Sequence, residues 1–248
     1  MRKLAIDIGN TRTKIGIFEH KNLLEKVAKG QFSTTEIIDL ANHFDAKYLI
    51  ISSVAAHDPV FVASLSHHFH LVELSADTPL PFINTYRTPQ TLGKDRLAAV
   101  AGAMALFPQQ NCLVVDGGTC IKYELLTADG RFLGGNIAPG LLMRTKAMAH
   151  FTARLPIVDL DMPPNAVGDS TETALQNGAF RGTILEIQGF YALYASELGS
   201  ELSVILTGGD AEFLNKYLSF TSQVVQNDLT LIGLNEILDL NIKHFSNT

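Results

Sequence analysis

Apolar positions change rhythm along this chain, from the short alternating runs of strands near its start to the three- and four-residue intervals of helices towards its end. Residues 3–19 read as two apolar strands joined by a turn at residues 9–11. Ile15 and Ile17 alternate there against Lys14 and Gly16, the pattern of a β-hairpin with polar residues at its bend. Residues 34–44 have helical spacing behind Ser33 and Thr34 as caps, and the β-branched run at 47–54 fits a buried strand. A helix over 58–68 and a strand over 69–74 follow, before a proline-bearing link at 78–89 ends the run of strands.

Residues 93–107 predict a strongly apolar helix that opens with charged residues, and 111–116 another buried strand. A second hairpin comes next, with strands over 120–126 and 132–137 and a turn at Asp129-Gly130. Its opening restates the first one, Asp116-Gly117-Gly118-Thr119 against Asp7-Ile8-Gly9-Asn10-Thr11. In both places an apolar strand ends on Asp-x-Gly, a Thr follows and another strand departs, so the chain reads as a degenerate internal duplication. Past Pro139-Gly140 it turns mainly helical, over 141–151 and 171–198. One further strand, 202–206, runs into Thr207-Gly208-Gly209-Asp210 and a helix over 211–218, and a last helix lies near 231–240. With no low-complexity linker, the expected fold class is α/β in two similar lobes, residues 1–108 and 109–248, dividing inside structured sequence near 107–111.

Composition narrows the partners. A length of 248 residues, 46% of them hydrophobic, is enough to bury a substantial core. The 19 basic residues are outnumbered by 25 acidic ones and no Lys/Arg run exceeds two, which argues against nucleic acid as a partner. Cys112 and Cys120 are too few for a disulfide scaffold and match no zinc spacing; small buried thiols in a reducing cytoplasm are the expectation. Asp7 breaks the first apolar run too early for a signal-peptide core, and every longer apolar stretch is broken by charge before it could cross a bilayer.

The acidic turns carry the candidate chemistry. In Asp7-Ile8-Gly9-Asn10-Thr11, Gly9 lets the backbone approach a bound anion, while Asn10 and Thr11 offer donors and Lys14 a positive charge. Asp7 would not touch a phosphate, since two anions repel; its carboxylate makes sense by holding Mg²⁺ or its waters. An ordinary hairpin turn would use Gly and Asn in the same way. The second copy at Asp116 is what raises the pair above folding needs. A third glycine turn at Thr207-Gly208-Gly209-Asp210 could accept a nucleotide on its exposed N–H groups. The run Gly134-Gly135-Asn136-Ile137-Ala138-Pro139-Gly140 also reads as a tight strand-to-helix connection. His67, His68 and His70 cluster without a carboxylate or Cys nearby in sequence, and are expected to be exposed rather than metal ligands.

Taken in order, DIGNTRTK at 7–14, GKDR at 93–96, DGGT at 116–119, GGNIAPG at 134–140 and TGGDA at 207–211 resemble the type III pantothenate kinases over nearly the whole chain. GKDR behind Asn84-x-Tyr86-x-x-Pro89 is the most specific of these, separating that family from other actin-like proteins. The chain departs from the family at Cys120-Ile121-Lys122, where small residues are commoner. The resemblance implies two actin-like (ribonuclease H-like) lobes, each a mixed sheet with helices, with the ATP cleft between them. It also implies a cytoplasmic enzyme that phosphorylates pantothenate with ATP in the first step of coenzyme A biosynthesis.

Residue by residue, it implies that ATP lies against Asp7, Ile8, Gly9, Asn10, Thr11, Arg12, Thr13, Lys14 and Thr119, with its adenosine end near Gly208 and Gly209. Pantothenate is expected at Tyr86, Gly93, Lys94, Asp95 and Arg96, with Thr171 reaching it from the neighbouring subunit of a homodimer. Mg²⁺ would travel with ATP and meet Asp7 through water, and a monovalent cation, K⁺ or NH₄⁺, would sit beside Asp116. Asp95, in the first turn of an apolar helix whose N-terminus favours the ionised carboxylate, is the expected catalytic group, and Arg96 a fork for carboxylate or phosphoryl oxygens. A helix cap and a surface ion pair are the bland alternative for these two. A kinase of another small acceptor, or a kinase-like accessory regulator of transcription, are the competing functions.

Overall fold

The computed structural model describes residues 1–9, 11–53 and 59–245. The elements begin β1 (Arg2–Ile8), β2 (Thr13–Glu19), β3 (Asn22–Lys29), α1 (Thr34–His43), β4 (Ala46–Ser53), α2 (Pro59–Ser66), β5 (His70–Glu73), β6 (Ile83–Asn84) and α3 (Lys94–Leu106). They continue β7 (Cys112–Gly117), β8 (Cys120–Leu126), β9 (Arg131–Pro139), α4 (Leu141–Phe151), α5 (Thr171–Gln176), α6 (Gly182–Leu198), β10 (Ser203–Thr207), α7 (Ala211–Tyr217), β11 (Gln223–Val225) and α8 (Leu229–Phe245). A π turn, Asn177–Arg181, joins α5 to α6. Asn10, and the ends of the expected strand at 47–54 and helix at 58–68, lie outside the described residues.

Two compact units make up the chain. The first holds Met1–Gln109, Asp129–Leu133 and Asp228–Thr248, the second Gln110–Ala128 and Gly134–Asn227. This differs from a division into 1–108 and 109–248, because α8 packs on α3, β1 and β4 of the first unit. Among the described residues no helix is long and apolar enough to cross a membrane.

The first unit has the sheet order β3-β2-β1-β4-β5, with β2 antiparallel to both its neighbours and β4 and β5 parallel to β1. The second sheet, β11-β10-β7-β8-β9-β6, repeats that plan in its first five strands, with β8 antiparallel to β7 and β10 and β11 parallel to it, and adds β6 parallel to Arg131 and Phe132 of β9. The duplication seen at two turns therefore extends to the order of five strands in each sheet. Two of the strands, β3 and β11, have no strong pattern: β3 is an edge strand with mostly exposed side chains, and β11 has only three residues.

Each sheet buries apolar side chains by alternation. Leu4, Ile6, Ile15, Ile17, Leu49 and Ile51 pack with Ile37 and Ala41 of α1 and Leu65 of α2. In the second unit Leu113, Val115, Ile121, Tyr123, Val204 and Leu206 pack against α6 and α7. Helix α1 starts where Ser33 predicts: its side chain accepts from Glu36 N while the Glu36 carboxylate accepts from Ser33 N, a capping box. Buried Lys3 points to the other face of the first sheet and pairs there with Asp239 of α8.

Glycines let α8 close on α3. A Cβ at Gly233 would lie 1.7 Å from Ala98 O, and one at Gly102 2.3 Å from Leu229 O. Both clashes are with backbone, so neither is relieved by a rotamer change. Gly233→Ala is expected to cost about 3 kcal/mol by overpacking, more than the gain of about 1 kcal/mol in helix propensity. Urea unfolding of the variant against the parent measures it, and an unchanged midpoint would contradict the close packing.

Candidate active site

The first acidic turn joins β1 to β2. Asp7 sits at the end of β1, half-buried, opposite Lys14 of β2 and beside Ser52 of the parallel strand β4. Alternation puts Asp7 on the same sheet face as Lys3 and Ala5, while Ile8 packs into the opposite core. Gly9 N donates to Arg12 O at 3.1 Å, closing the turn and leaving Thr11 and Arg12 exposed. Thr13 is buried, with its hydroxyl donating to Gly30 O at 3.4 Å. A half-buried carboxylate at a strand end, next to an exposed turn, suits a hard divalent cation held mainly through its waters.

The second constellation gathers at the start of α3. Gly93 is its N-cap, and the Asp95 carboxylate folds back so closely that a Cβ on Gly93 would lie 2.5 Å from Asp95 Oδ1. That oxygen accepts from Arg96 N at 2.9 Å. Arg96 is only 5% exposed, and its guanidinium lies 5.4 Å from the centre of the Tyr86 ring. Tyr86 in turn stacks on Phe132, with centroids 6.4 Å apart and planes within 7°. Asn84 fixes the approach by accepting from Tyr86 N at 3.0 Å, and Lys94 pairs with Glu73 at 3.7 Å. Tyr86, Gly93, Lys94, Asp95 and Arg96 are thus brought together, and the first turn of a helix holds the carboxylate beside a buried guanidinium.

The second acidic turn is built more tightly than the first. Asp116 ends β7, opposite Lys122 of β8 and beside Thr207 of β10. Lys122 Nζ lies 2.6 Å from Asp116 Oδ2. Gly208, with φ of 88°, crosses the other carboxylate oxygen: a Cβ there would lie 2.5 Å from Asp116 Oδ1 and 2.2 Å from Gly117 O. Gly209 next to it is exposed, and Asp210 N donates to Gly117 O at 3.0 Å. Gly140 N donates to Thr119 O at 3.1 Å, so GGNIAPG brings the start of α4 onto the DGGT turn. Burial, and then the charge of Asp116, hold the Asp210 carboxyl above the usual aspartate range. The monovalent-cation position expected beside Asp116 already faces an ammonium of the protein itself.

Thr119 is exposed and borders an open cavity of about 540 Å³, whose other walls are Leu142, Met143, Lys146, Ala147, His150 and Phe151. Helix α4 is anchored by Arg144, which donates to Pro139 O at 2.9 Å and to both carboxylate oxygens of Glu186 at 2.9 and 2.8 Å. Sequence reasoning missed Arg144, Lys146 and the pairing of Lys122; only for Lys122 was there a signal, as the departure after Thr119. Thr171 is exposed at the first position of α5, behind a Ser170 cap. His67, His68 and His70 are exposed. Among the described residues no three His, Cys, Asp or Glu side chains group as metal ligands. Cys112 is buried, which pushes its thiol up to about 12, so it stays protonated and inert; Cys120 is half-buried.

The duplicated sheet plan has relatives of known structure. The chain superposes with a TM-score of 0.61 on a protein from Campylobacter jejuni described as a Baf family transcriptional activator, at 24% identity over 97% of this chain and 99% of that one. The ROK hexokinase from Thermus thermophilus follows with a TM-score of 0.53, at 14% identity over 98% of this chain and 100% of that one. The fold, with its two acid-tipped glycine turns, is that of the actin-like ATPases and sugar kinases.

Within that class the sequence is more specific. A family model for type III pantothenate kinases matches residues 3–193. The type III pantothenate kinase of Christiangramia forsetii is 41% identical over 242 residues, 96% of this chain and 98% of that one. The corresponding protein of Phocaeicola vulgatus is 41% identical over 242 residues, 97% and 99% of the two chains. The chain belongs to the type III pantothenate kinases.

The raised pKa of Asp210 fixes a sign. A carboxyl whose folded-state pKa lies above its unfolded value favours the fold fully below the unfolded value and loses that contribution as pH rises through the raised one. Asp210→Asn, which cannot ionise, is therefore expected to melt higher than the parent at pH 7 and to lose that advantage below about pH 4. Calorimetry at the two pH values checks it; an advantage that grows on acidification would reverse the assignment.

Proposed function

We propose that this chain transfers the γ-phosphoryl group of ATP to the primary hydroxyl of pantothenate, giving 4′-phosphopantothenate, the first step of coenzyme A biosynthesis. Membership of the type III pantothenate kinases over nearly the full length supports the reaction. The observation that carries the assignment of roles is the meeting of Asp95, Arg96 and Tyr86 at the start of α3.

Asp95 acts as the catalytic acid–base group. Its carboxylate aligns the substrate hydroxyl and takes its proton as the new O–P bond forms and the bond from the γ-phosphorus to the β-bridging oxygen breaks, with ADP leaving. A carboxylate is a weak base, but a loose transition state asks mainly for alignment and charge neutralisation. Arg96, its guanidinium 5.4 Å from the centre of the Tyr86 ring, offers a fork to the pantothenate carboxylate or the migrating phosphoryl group. Gly93 and Lys94 complete that pocket, and Thr171 is assigned to the acceptor of a neighbouring subunit in a homodimer.

ATP is assigned to the exposed turn after Asp7, with Ile8, Gly9, Asn10, Thr11, Arg12, Thr13 and Lys14, and to Thr119, with its adenosine end towards Gly208 and Gly209. Mg²⁺ bound to ATP would neutralise triphosphate charge, and Asp7 would hold it through water. The acidic balance of the chain argues against nucleic acid as a partner, and a cytoplasmic metabolic role is part of the same reading.

Asp95→Asn tests the central role. It keeps shape while removing the proton acceptor, so kcat is expected to fall by about 100-fold or more with melting temperature and ATP affinity unchanged. Steady-state kinetics with isothermal titration of an ATP analogue reads both. Full turnover in this variant would refute the role, and a screen of other small hydroxylated or carboxylated acceptors tests the substrate separately.

A further inference from the structure

We propose that the Lys122 ammonium is the resident cation of Asp116, so that this chain requires neither K⁺ nor NH₄⁺ for turnover. The proposal rests on the pantothenate kinase reading above and adds a positioning residue to it.

Asp116 and Lys122 are directly opposed across the antiparallel β7–β8 pair, so both side chains leave the same face of the sheet. Nζ reaches Oδ2 at 2.6 Å, and the two side chains are only 20% and 18% exposed. A charge-assisted bond in such a setting is screened far less than one on the surface. The second carboxylate oxygen is crossed by the backbone of Gly208, where even a methyl group would lie 2.5 Å away. An alkali cation needs a ring of several oxygens in place of its water, and of the two Asp116 oxygens one is taken by the ammonium and the other lies against the Gly208 backbone. A free cation placed on the same carboxylate would also meet the ammonium at close range, so repulsion offsets the attraction of Asp116.

The ammonium carries the same single charge as K⁺ or NH₄⁺ and donates as NH₄⁺ does. Tethered by the hairpin register, it is present in every molecule at any salt composition. Its part is electrostatic: it neutralises a strand-end carboxylate directly next to the Gly117–Thr119 turn, where a triphosphate would otherwise approach an uncompensated negative charge.

The test measures pantothenate-dependent ATP turnover in Mg²⁺ buffer whose monovalent cation is tetramethylammonium, then with KCl or NH₄Cl added, with the melting temperature read in the same solutions. Added K⁺ should change the parent's turnover by less than about twofold, whereas Lys122→Met should lose about 100-fold and regain at least about tenfold with either cation. Melting temperature should rise specifically in KCl for Lys122→Met and not for the parent. A parent that is silent until K⁺ is added overturns the proposal, as does a Lys122→Met loss that neither cation restores, which would make the lysine a mere brace of the hairpin. A parent inactive with pantothenate in every salt refutes the pantothenate reading instead. The melting temperatures then decide alone: a K⁺-specific rise confined to Lys122→Met supports the proposal, and a rise in the parent or in neither protein overturns it. If Lys122→Met does not fold, the parent's response to K⁺ in turnover and melting still decides.

Discussion

An ionised carboxylate at the end of a buried strand has to meet positive charge, because leaving it uncompensated in a poorly solvated place costs several kcal/mol. This constraint organises both halves of the chain. Asp7 and Asp116 each end the central strand of a five-strand arrangement, each faces a lysine across the hairpin, and each has a hydroxyl residue beside it on the parallel neighbour. The hairpin is the shortest route by which a chain can bring a lysine opposite a given aspartate, since two strands and a tight turn determine the register. The acidic turns are thus consequences of one supersecondary plan used twice.

Glycine supplies the second shared element, close approach. At the second turn Gly208 crosses the Asp116 carboxylate and Gly140 lies against the Gly118 and Thr119 carbonyls, so three segments distant in sequence converge within contact of one bend. In the first unit Gly102 and Gly233 allow α8 to sit on α3, the helix whose first turn carries Asp95 and Arg96. Rigid backbone-to-backbone contact of this kind fixes the side chains a helix carries better than a loop does, because the contact cannot be relieved by moving a side chain.

The two copies have diverged in what they offer. The first has an exposed turn at Thr11 and Arg12 and, at the start of α3, the Arg96 guanidinium 5.4 Å from the Tyr86 ring centre. The second closes its carboxylate with Lys122 and leaves Thr119 exposed at the rim of an open cavity on α4. One strand plan thus presents different side chains at its two acidic turns, and at the second a lysine ammonium closes the carboxylate at 2.6 Å.

Much of this was determined by local sequence alone. Ser33 and Glu36 specify the start of α1, apolar runs specify β1 and β7, alternation specifies β2, and Asp7-x-Gly9 with Asp116-x-Gly118 specify the paired turns, because period, cap and turn chemistry depend on residues within a few positions of one another. The candidate residues Gly93 to Arg96 stood out through a resemblance of motifs, and their place in the first turn of α3 follows from the same local pattern. The tertiary structure alone decided the rest. Strands β3 and β11 bury too few side chains to announce themselves and exist because an adjacent strand offers hydrogen bonds. Tyr86 finds Phe132, α8 returns to α3, and Gly208 closes on Asp116 only once the chain is folded. Lys122 was visible as an unusual residue, but that its ammonium meets Asp116 is a property of strand register, which long-range pairing sets and local sequence does not.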